Sequence, residues 1–357
     1  MSDTPILQDE LLTTAREELA GRAVVVTGAT GFIGRRLVAA LLALAADVSV
    51  ILRSRHGARH FKRGGASVCV GQLTDESFLI SSLKEKDILF HLAYDIRASG
   101  RKNMADFSIL CDPVQASELQ RIVHMSSMVV YDHWPGGQID QESTVTRTGL
   151  EDYRDAKIAM EEAFMAGAKP VAILQPGIVH GPGSTLWTDG PRFALKRGPV
   201  ILPDPVGWCP ATHVDDVVQA ALRAALVPDL GHERFILNGP ERPDWHEFYQ
   251  SHIDAIGQGS VALRPIHELE EQLPAPEPAA VLPDEPSAAA RVSRALRYVL
   301  GRDRFEALIR MARGAIRKSG PIYPNRSTLR LLGARAEISD DYARTRLGYS
   351  PICGLDS

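Results

Sequence analysis

The amino-acid sequence predicts an α/β protein built around a doubly wound parallel sheet. Two observations support this fold class. A glycine-rich turn joins an apolar β-branched stretch to a stretch rich in alanine and leucine, and further short apolar stretches alternate with helical ones up to about residue 180. Strands that alternate with helices pair in parallel, and ligands of such sheets bind beyond the carboxyl ends of the strands.

The composition is that of an ordinary globular protein and excludes several classes. Of 357 residues, 45% are hydrophobic and 24% are charged, and the net charge of −4 indicates no nucleic-acid partner. The four cysteines form no C-x-x-C pair, which argues against a disulfide scaffold or a zinc site and favours the reducing cytoplasm. The acidic stretch 1–22 is unlike a signal peptide, and the longest apolar run, 37–46, is too short for a transmembrane segment.

The first predicted strand, residues 24–26, ends in a turn with three glycines, and a helix is predicted over 35–44. Bare backbone N–H groups and the positive end of this helix form an anion site suited to a pyrophosphate. A tight strand-to-helix turn without a ligand is the alternative, because the spacing differs from G-x-G-x-x-G. The dinucleotide contacts expected at this turn are Gly28, Thr30, Gly31, Phe32, Ile33 and Gly34.

The second predicted strand, residues 47–52, ends in Arg53-Ser54-Arg55. In dinucleotide-binding units an acidic residue near this point holds the ribose 2′-hydroxyl. Here no carboxylate stands at that position to repel a 2′-phosphate, and Arg53 and Arg55 can bind one. The sequence therefore favours NADP over NAD, with an ordinary solvated arginine loop as the alternative.

Four further strands are predicted over residues 66–70, 87–93, 120–127 and 169–176. Because the carboxyl ends of parallel strands meet at one edge of a sheet, five chain segments are expected to converge on one crevice. The residues at these ends are Gly31, Arg53, Ala93, Ser127 and Pro176.

A tyrosine and a lysine are placed to carry proton chemistry. Tyr153 and Lys157 are expected at positions i and i+4 of a helix that ends near residue 166, so they share one face. A nearby ammonium lowers the pKa of a phenol and suits it to general acid–base catalysis. The hydroxyl of Ser127 can hydrogen-bond a carbonyl or carbinol oxygen. A surface helix and an ordinary serine turn are the alternatives.

An ordered series of motifs resembles the extended short-chain dehydrogenase/reductase superfamily, of the NAD(P)-dependent epimerase/dehydratase type. The resemblance runs from about residue 22 to about residue 240 and is weaker beyond. The motifs are TGATGFIG at 27–34, HLA at 91–93, SSMVVY at 126–131, Y-x-x-x-K at 153–157, PGIVHGPG at 176–183 and HVDD at 213–216.

The resemblance implies a role for each matched residue. Tyr153 would be the catalytic acid/base, and Lys157 would bind the nicotinamide ribose and lower the pKa of Tyr153. Ser127 would polarise the substrate oxygen, and Asn103 would support the hydrogen-bond network of the active site. Further cofactor contacts are implied at Gln72, Leu73, Leu92, Ala93, Tyr94, Ser126, Tyr153, Lys157, Pro176 and Val179.

Three positions depart from the family pattern. Gln72 stands where the family has an acidic residue that contacts adenine, and Gln175 stands where an arginine usually precedes Pro-Gly. Tyr94 replaces a small residue and would narrow the pocket.

The resemblance also bears on the reaction. Met128-Val129 stands where sugar 4,6-dehydratases of the family have an Asp-Glu pair, and Pro176-Gly177 resembles the reductases more than the nucleotide-sugar epimerases. Together with Arg53, this favours an NADP(H)-linked carbonyl reductase or alcohol dehydrogenase. A nucleotide-sugar epimerase that retains its cofactor and a non-catalytic dinucleotide sensor are the alternatives.

Clustered histidines and carboxylates are interpreted as structural. His213, Asp215 and Asp216 precede a predicted helix, where such residues cap the N-terminus and complement the helix dipole. His91 and His180 are expected to be packing or loop residues, and no metal is predicted because the sequence has no zinc-ligand spacing.

We expect an N-terminal leader (1–21), a dinucleotide-binding Rossmann domain (22–183, completed by about 206–240) and a smaller C-terminal α+β substrate-binding domain (184–205 and 241–357). Residues 271–287 resemble a linker, and 288–318 predict arginine-rich helices. Solvated arginines are the preferred interpretation; recognition of an anionic substrate and peripheral contact with an anionic membrane are the alternatives. A homodimer acting on a small-molecule substrate is expected.

Overall fold

The computed structural model describes residues 4–274 and 320–357. The strands are β1 (Ala23–Thr27), β2 (Asp47–Leu52), β3 (Ser67–Val70), β4 (Ile88–His91), β5 (Arg121–Met125), β6 (Gln138–Ile139), β7 (Val171–Pro176), β8 (Ile178–His180), β9 (Val200–Asp204), β10 (Ala211–His213), β11 (His232–Leu237), β12 (Val261–Pro265) and β13 (Glu337–Ile338). The helices are α1 (Asp9–Leu19), α2 (Phe32–Ala43), α3 (Ala58–Gly64), α4 (Glu76–Leu83), α5 (Gly100–Ala116), α6 (Tyr153–Met165), α7 (Asp189–Leu195), α8 (Val214–Leu226), α9 (Trp245–Ile256), α10 (Ile266–Gln272), α11 (Arg326–Leu332) and α12 (Asp341–Leu347). A 3-10 turn, Met128–Val130, follows β5.

Seven parallel strands form one sheet in the order β11-β7-β5-β4-β1-β2-β3. The central strand β1 pairs with β2 on one side and β4 on the other, so Val24 lies beside Val48 and Ile88. The strand order therefore reverses at β1, which opens a crevice at the carboxyl ends of β1 and β4. The predicted fold class and its six strands are confirmed, and β11 is a seventh strand that the sequence interpretation did not assign.

Helices cover both faces of the sheet. Val24 and Val26 pack in one core together with α2 and α8, while Val25 packs in a second core with α5 and α6. All three valines are fully buried. Because successive residues of a strand point to opposite faces, a strand buried on both sides is a continuous apolar run, as in β1.

Both ends of the chain contact this sheet layer. Leu11, Ala15 and Leu19 of α1 are buried in the same core as α2 and α8. Tyr349, just beyond α12, packs there too, and its hydroxyl donates a 2.7 Å hydrogen bond to the carbonyl of Asn238. The leader and residues 341–349 thus pack on the dinucleotide-binding part, and the predicted domain boundaries stay a prediction.

A smaller α+β part lies beyond the sheet. Strands β9 and β12 pair in parallel, and α7, α9 and α11 pack around a core that contains Trp245, Phe248 and Leu202. Most of the predicted linker and the whole basic stretch 288–318 lie outside the described residues. Within residues 4–274 and 320–357, no helix is long and apolar enough to cross a membrane.

Candidate active site

The glycine turn between β1 and α2 packs tightly against the end of β4. Gly28 has φ of +70°, and a Cβ there would lie 2.6 Å from the carbonyl carbon of Leu92. Gly34 lies against the carbonyl of Gly28 so closely that a side chain would not fit. Gly31 is the N-cap of α2 and has no capping side chain, which leaves the helix N-terminus open to an anion. This cradle without side chains fits a dinucleotide pyrophosphate, with Thr30, Phe32 and Ile33 in the same turn.

The strand ends beside this turn hold the other predicted cofactor contacts. The N–H of Ala93 donates to Thr27 Oγ1 at 3.3 Å, which ties the end of β4 to the end of β1. Pro176 ends β7, and Val179 belongs to β8 and packs against the core of the sheet. Leu73 packs against the opposite core, beneath the end of β3. The structure thus gathers these residues along one edge, as predicted from the strand ends.

The end of β2 corrects one sequence-based expectation. The guanidinium of Arg53 forms a 2.5 Å ion pair with Asp95, which follows β4. Burial raises the pKa of Asp95, but the hydrogen bonds from Arg53 and the Arg97 N–H, together with the charges of both arginines, outweigh this effect and leave the carboxyl below its ordinary value. The sequence-based expectation considered only residues close to Arg53 in the chain, whereas Asp95, which follows β4 two strands away in the sheet, pairs with the guanidinium that was expected to bind a 2′-phosphate. Gln72 donates a 3.3 Å hydrogen bond to the carbonyl of Arg53 and so braces the same loop.

Arg55 belongs to a basic groove beside this loop. The groove has a volume of about 740 Å³ and lies between α3 and the edge strand β3. Its exposed cations are Arg55, Arg59, Lys62 and Arg63. No carboxylate in the described part of the chain pairs with these four side chains, so they remain available to an anion.

Asn103, which is buried in α5, hydrogen-bonds the loop between β4 and α5. Its amide donates 3.0 Å hydrogen bonds to the carbonyls of Asp95 and Ser99, and its oxygen accepts one of 2.9 Å from the Asp95 N–H. These bonds shape the loop after β4 and reach none of the predicted catalytic side chains. The loop in turn abuts the start of α6, since the Arg101 N–H donates to the carbonyl of Glu151. In this structure Asn103 braces the loop, and its support of the active-site hydrogen-bond network stays a prediction.

Helix α6 begins at Tyr153, directly after its N-cap residue. Asp152 is the N-cap and accepts a hydrogen bond from the N–H of Asp155 at 2.9 Å. Arg154 donates a 2.7 Å hydrogen bond to the carbonyl of Val130, in the 3-10 turn that follows Ser127. The first turn of α6 is thereby fastened to the segment that carries the serine.

Ser127 lies close enough to Tyr153 to influence its phenol. The Ser127 hydroxyl lowers the pKa of the Tyr153 phenol, and the serine itself is buried at the end of β5. Tyr153 is 43% exposed as a residue, yet its hydroxyl is enclosed by protein, and this burial raises the pKa of Tyr153 despite the opposing effect of Ser127. The pKa of Tyr153 is therefore raised on balance, and its lowering by Lys157 stays a prediction.

Lys157 is buried one turn along the same face of α6. Its ammonium donates a 2.8 Å hydrogen bond to the carbonyl of Met125. Burial lowers the pKa of Lys157 to about 8, while the charge of Glu161 acts in the opposite direction. The Lys157 nitrogen lies 5.9 Å from the centre of the Tyr153 ring, so the two side chains face the same space.

Tyr94 forms a wall beside both side chains. Its ring meets that of Tyr153 edge-on, with centroids 5.0 Å apart, and the Lys157 nitrogen lies 4.9 Å above it. Burial raises the pKa of Tyr94 above its ordinary range, so this phenol is neutral. The narrowing expected from a large residue at this position agrees with this geometry.

Sequence reasoning missed a buried carboxylate behind the site. The Ser126 hydroxyl donates a 2.5 Å hydrogen bond to Glu161, which is fully buried in α6. Ser126, predicted to bind the cofactor, is thus engaged with the protein through its side chain. The position of Glu161, four residues after Lys157 and on the same face, is the signal that could have found it.

The histidine–aspartate cluster, interpreted from the sequence as structural, is held by contacts within the protein. His213 caps α8 by accepting the Asp215 N–H at 3.2 Å, and Asp215 pairs with Arg36. Asp216 accepts 2.8 and 3.1 Å hydrogen bonds from the N–H groups of Ile352 and Cys353, next to the C-terminal end. His213, Asp215 and Cys353 have possible metal-ligand atoms within 4.8 Å of one another. However, Asp215 is already paired with the Arg36 guanidinium, and His213 Nδ1 already accepts a hydrogen bond from the Asp215 N–H.

Two further predicted packing histidines lie in the cores. His91 and His124 form a buried pair with their Nδ1 atoms 3.0 Å apart. Burial lowers the pKa of both residues, so the pair is neutral. His180 is also buried, and its ring meets that of His213 edge-on.

Comparison with known proteins places this arrangement in a family. The chain is similar to 4-hydroxy-2-methyl-3-oxo-4-farnesyl-3,4-dihydroquinoline-1-oxide ketoreductase of Stigmatella aurantiaca, at 25% identity over 351 residues, or 91% of each protein. An epimerase structure from Methanothermobacter thermautotrophicus matches with a TM-score of 0.68 at 16% identity, over 97% of this chain and 92% of that one. UDP-glucuronic acid 4-epimerase of Bacillus cereus, in complex with UDP-glucuronic acid and NAD, matches with a TM-score of 0.62 at 18% identity, over 94% and 95%.

The structural matches confirm the fold, and the sequence comparison identifies the family. The family model described as the NAD dependent epimerase/dehydratase family matches residues 24–238, more than half of the chain. The chain therefore belongs to the NAD-dependent epimerase/dehydratase family of the extended short-chain dehydrogenase/reductase superfamily.

Proposed function

We propose that this protein is an NADP(H)-linked carbonyl reductase or alcohol dehydrogenase. The observation that carries the proposal is the proximity of Ser127 to the Tyr153 phenol, beside Lys157 on the same helix face as Tyr153. Two hydroxyls that converge on one point can hold a carbonyl oxygen and supply its proton. The similarity to a ketoreductase over 91% of both proteins supports the same reaction.

The residues divide the proton chemistry between them. A bound nicotinamide dinucleotide supplies or accepts the hydride. In the reductive direction, Ser127 donates a hydrogen bond to the carbonyl oxygen and Tyr153 transfers its proton to that oxygen as the C–H bond forms. The raised pKa of Tyr153 suits this direction, because a protonated phenol is the required donor.

Lys157 assists the same proton transfer from Tyr153. Its ammonium, held by the carbonyl of Met125, stabilises the phenolate that remains on Tyr153 after proton transfer. We propose that it also binds the nicotinamide ribose, as the family resemblance implies. The glycine turn, at Gly28 and Gly34, holds the pyrophosphate on the open N-terminus of α2.

NADP remains our proposed cofactor, with a revised determinant. Arg53 is engaged by Asp95, whereas Arg55 and the cations of the basic groove have no carboxylate partner in the described residues. A 2′-phosphate would therefore be held chiefly by Arg55. Arg53 would contribute less, because the carboxylate of Asp95 neutralises part of its charge. The homodimer, the cytoplasmic location and an anionic substrate stay predictions.

Mass spectrometry of small molecules released from the purified protein, followed by turnover assays with a panel of ketones, tests the function. We expect NADPH oxidation that depends on the ketone. An epimerase would instead retain its cofactor and show no net oxidation, and a sensor would bind the dinucleotide without any turnover. Bound NAD without NADP would overturn the proposed cofactor.

A further inference from the structure

A buried carboxylate joins the elements that carry the site. Glu161 Oε1 accepts hydrogen bonds from Ser126 Oγ at 2.5 Å and from Gln175 Nε2 at 2.9 Å, and Oε2 accepts one from Arg234 Nε at 2.8 Å. Tyr131 extends this network, since its hydroxyl donates to Gln175 Oε1 at 2.7 Å. One side chain of α6 is therefore bonded to the segment after β5, to β7 and to β11.

The partners of Glu161 lie next to the groups of the proposed site. Ser126 directly precedes Ser127, and Gln175 directly precedes Pro176 at the end of β7. A shift of Glu161 would therefore displace both strand ends together. Buried networks whose members are all satisfied are rigid in this way, because each lost bond leaves a polar group unpaired.

Arg234 supplies the countercharge that Gln175 does not. The family pattern has an arginine at the position of Gln175, whereas here the cation comes from β11, the next strand of the sheet. The Arg234 side chain is 24% exposed and that of Glu161 is fully buried, so the ion pair links a partly exposed cation to a carboxylate in the interior.

The negative charge of Glu161 also acts on the Lys157 ammonium. The other titratable groups that face Lys157 in the described structure are the phenols of Tyr94 and Tyr153 and the imidazoles of His91 and His124. Burial and neighbouring charges keep the imidazoles neutral, and the phenols are neutral as well. Glu161 is thus the negative charge among the groups that act on Lys157 in the described residues.

We infer that Glu161 is a positioning residue of this site, whose carboxylate, anchored by Arg234, holds the ends of β5 and β7 in place and supplies the countercharge of the Lys157 ammonium. That these residues form an active site rests on the proposed function. The placement of Glu161 rests on its hydrogen bonds to Ser126, Gln175 and Arg234. It assigns a role to a residue that touches neither cofactor nor substrate.

The test is the titration of Lys157 in the full-length protein. Nitrogen-15 NMR of the lysine amines monitors this titration from about pH 6 to about pH 11. Lys157→Met identifies the resonance. In the wild-type protein we expect a midpoint near 8. In Glu161→Gln we expect it about one unit lower, since a countercharge is removed, and NADPH affinity at pH 8, measured by fluorescence, should fall about fivefold because less of the amine is charged.

Glu162→Gln is the matched control. Glu162 is the neighbouring residue on the exposed side of α6, where it pairs with Arg147 at 3.1 Å, and its variant should titrate as the wild-type protein does. Glu161→Asp keeps the charge and should restore most of the midpoint. If Glu161→Gln unfolds because Arg234 is left uncompensated, Glu161→Gln/Arg234→Gln removes both charges and should still lower the midpoint.

A midpoint in Glu161→Gln, or in the double variant, within about 0.3 units of the wild-type value would overturn the inference. Failure of the proposed function gives a different result. If the wild-type protein bound neither NADPH nor NADH, the proposed function would be wrong, while the lysine titration would still decide the role of Glu161.

Discussion

The guanidinium of Arg36 in α2 and the carboxylate of Asp215 in α8 form a buried two-point ion pair behind the glycine turn. Asp215 also accepts a 2.9 Å hydrogen bond from the N–H of Ile6, ahead of α1. The pair fixes the helix whose open N-terminus faces the proposed pyrophosphate site. Three segments distant in the sequence therefore depend on one carboxylate.

Removal of this carboxylate should destabilise the whole protein. Asp215→Asn leaves the buried Arg36 uncompensated, and we expect a loss of about 3–5 kcal/mol in the free energy of unfolding, measured with urea. Asp189→Asn, at an exposed position of α7, is the control and should change it by less than about 0.5 kcal/mol. Equal stability of Asp215→Asn and the wild-type protein would contradict a structural role for the pair.

Burial of the Lys157 ammonium should lower the free energy of unfolding at neutral pH. Burial lowers its pKa from 10.5 to about 8, so the unfolded chain binds this proton more tightly than the folded one. The resulting cost to folding is fully present below about pH 8 and disappears as the pH rises to the unfolded value of 10.5.

We therefore expect Lys157→Met to raise the free energy of unfolding at pH 7 by about 1–3 kcal/mol, with part of the gain lost because the carbonyl of Met125 loses its donor. The same variant should bind NADPH about tenfold more weakly. Thermal unfolding across the pH range measures the first effect. A stability difference that does not shrink above pH 10.5 would contradict the burial of a charged amine.

Tyr153 should control turnover without controlling binding. We expect Tyr153→Phe to lower ketone-dependent NADPH oxidation at least about a hundredfold, because the proton donor is gone, and to leave the dissociation constant of NADPH within about threefold. Tyr323→Phe, an exposed tyrosine outside the site, is the control. Full turnover in Tyr153→Phe with a ketone substrate would refute the proposed mechanism.

Arg55 and Asp95 should change the choice of cofactor in opposite directions. Arg55→Gln removes the guanidinium proposed to hold the 2′-phosphate, and we expect about tenfold weaker NADPH binding with unchanged NADH binding. Asp95→Asn frees Arg53 from its ion pair and should strengthen NADPH binding by about twofold to fivefold.

Fluorescence titration with both cofactors measures these effects, and Arg264→Gln on the exposed face of β12 is the control. Equal losses for NADPH and NADH in Arg55→Gln would show that Arg55 does not distinguish the two cofactors.

The sequence determined the features that depend on neighbours along the chain. The apolar runs and the glycine spacing predicted six of the seven strands of the sheet and the turn at Gly28. The spacing of Tyr153 and Lys157 predicted a shared helix face. These are local properties, because the period of a helix or strand and the dihedral freedom of glycine act over a few residues.

Only the tertiary structure decided the environment of these residues. Asp95 meets Arg53 from 42 positions away, and Arg234 meets Glu161 from 73 positions away. The pKa of Tyr153 is raised because burial of its hydroxyl outweighs the opposing effect of Ser127. Ion pairs and desolvation depend on which segments the fold brings together, and no periodicity in the chain records that.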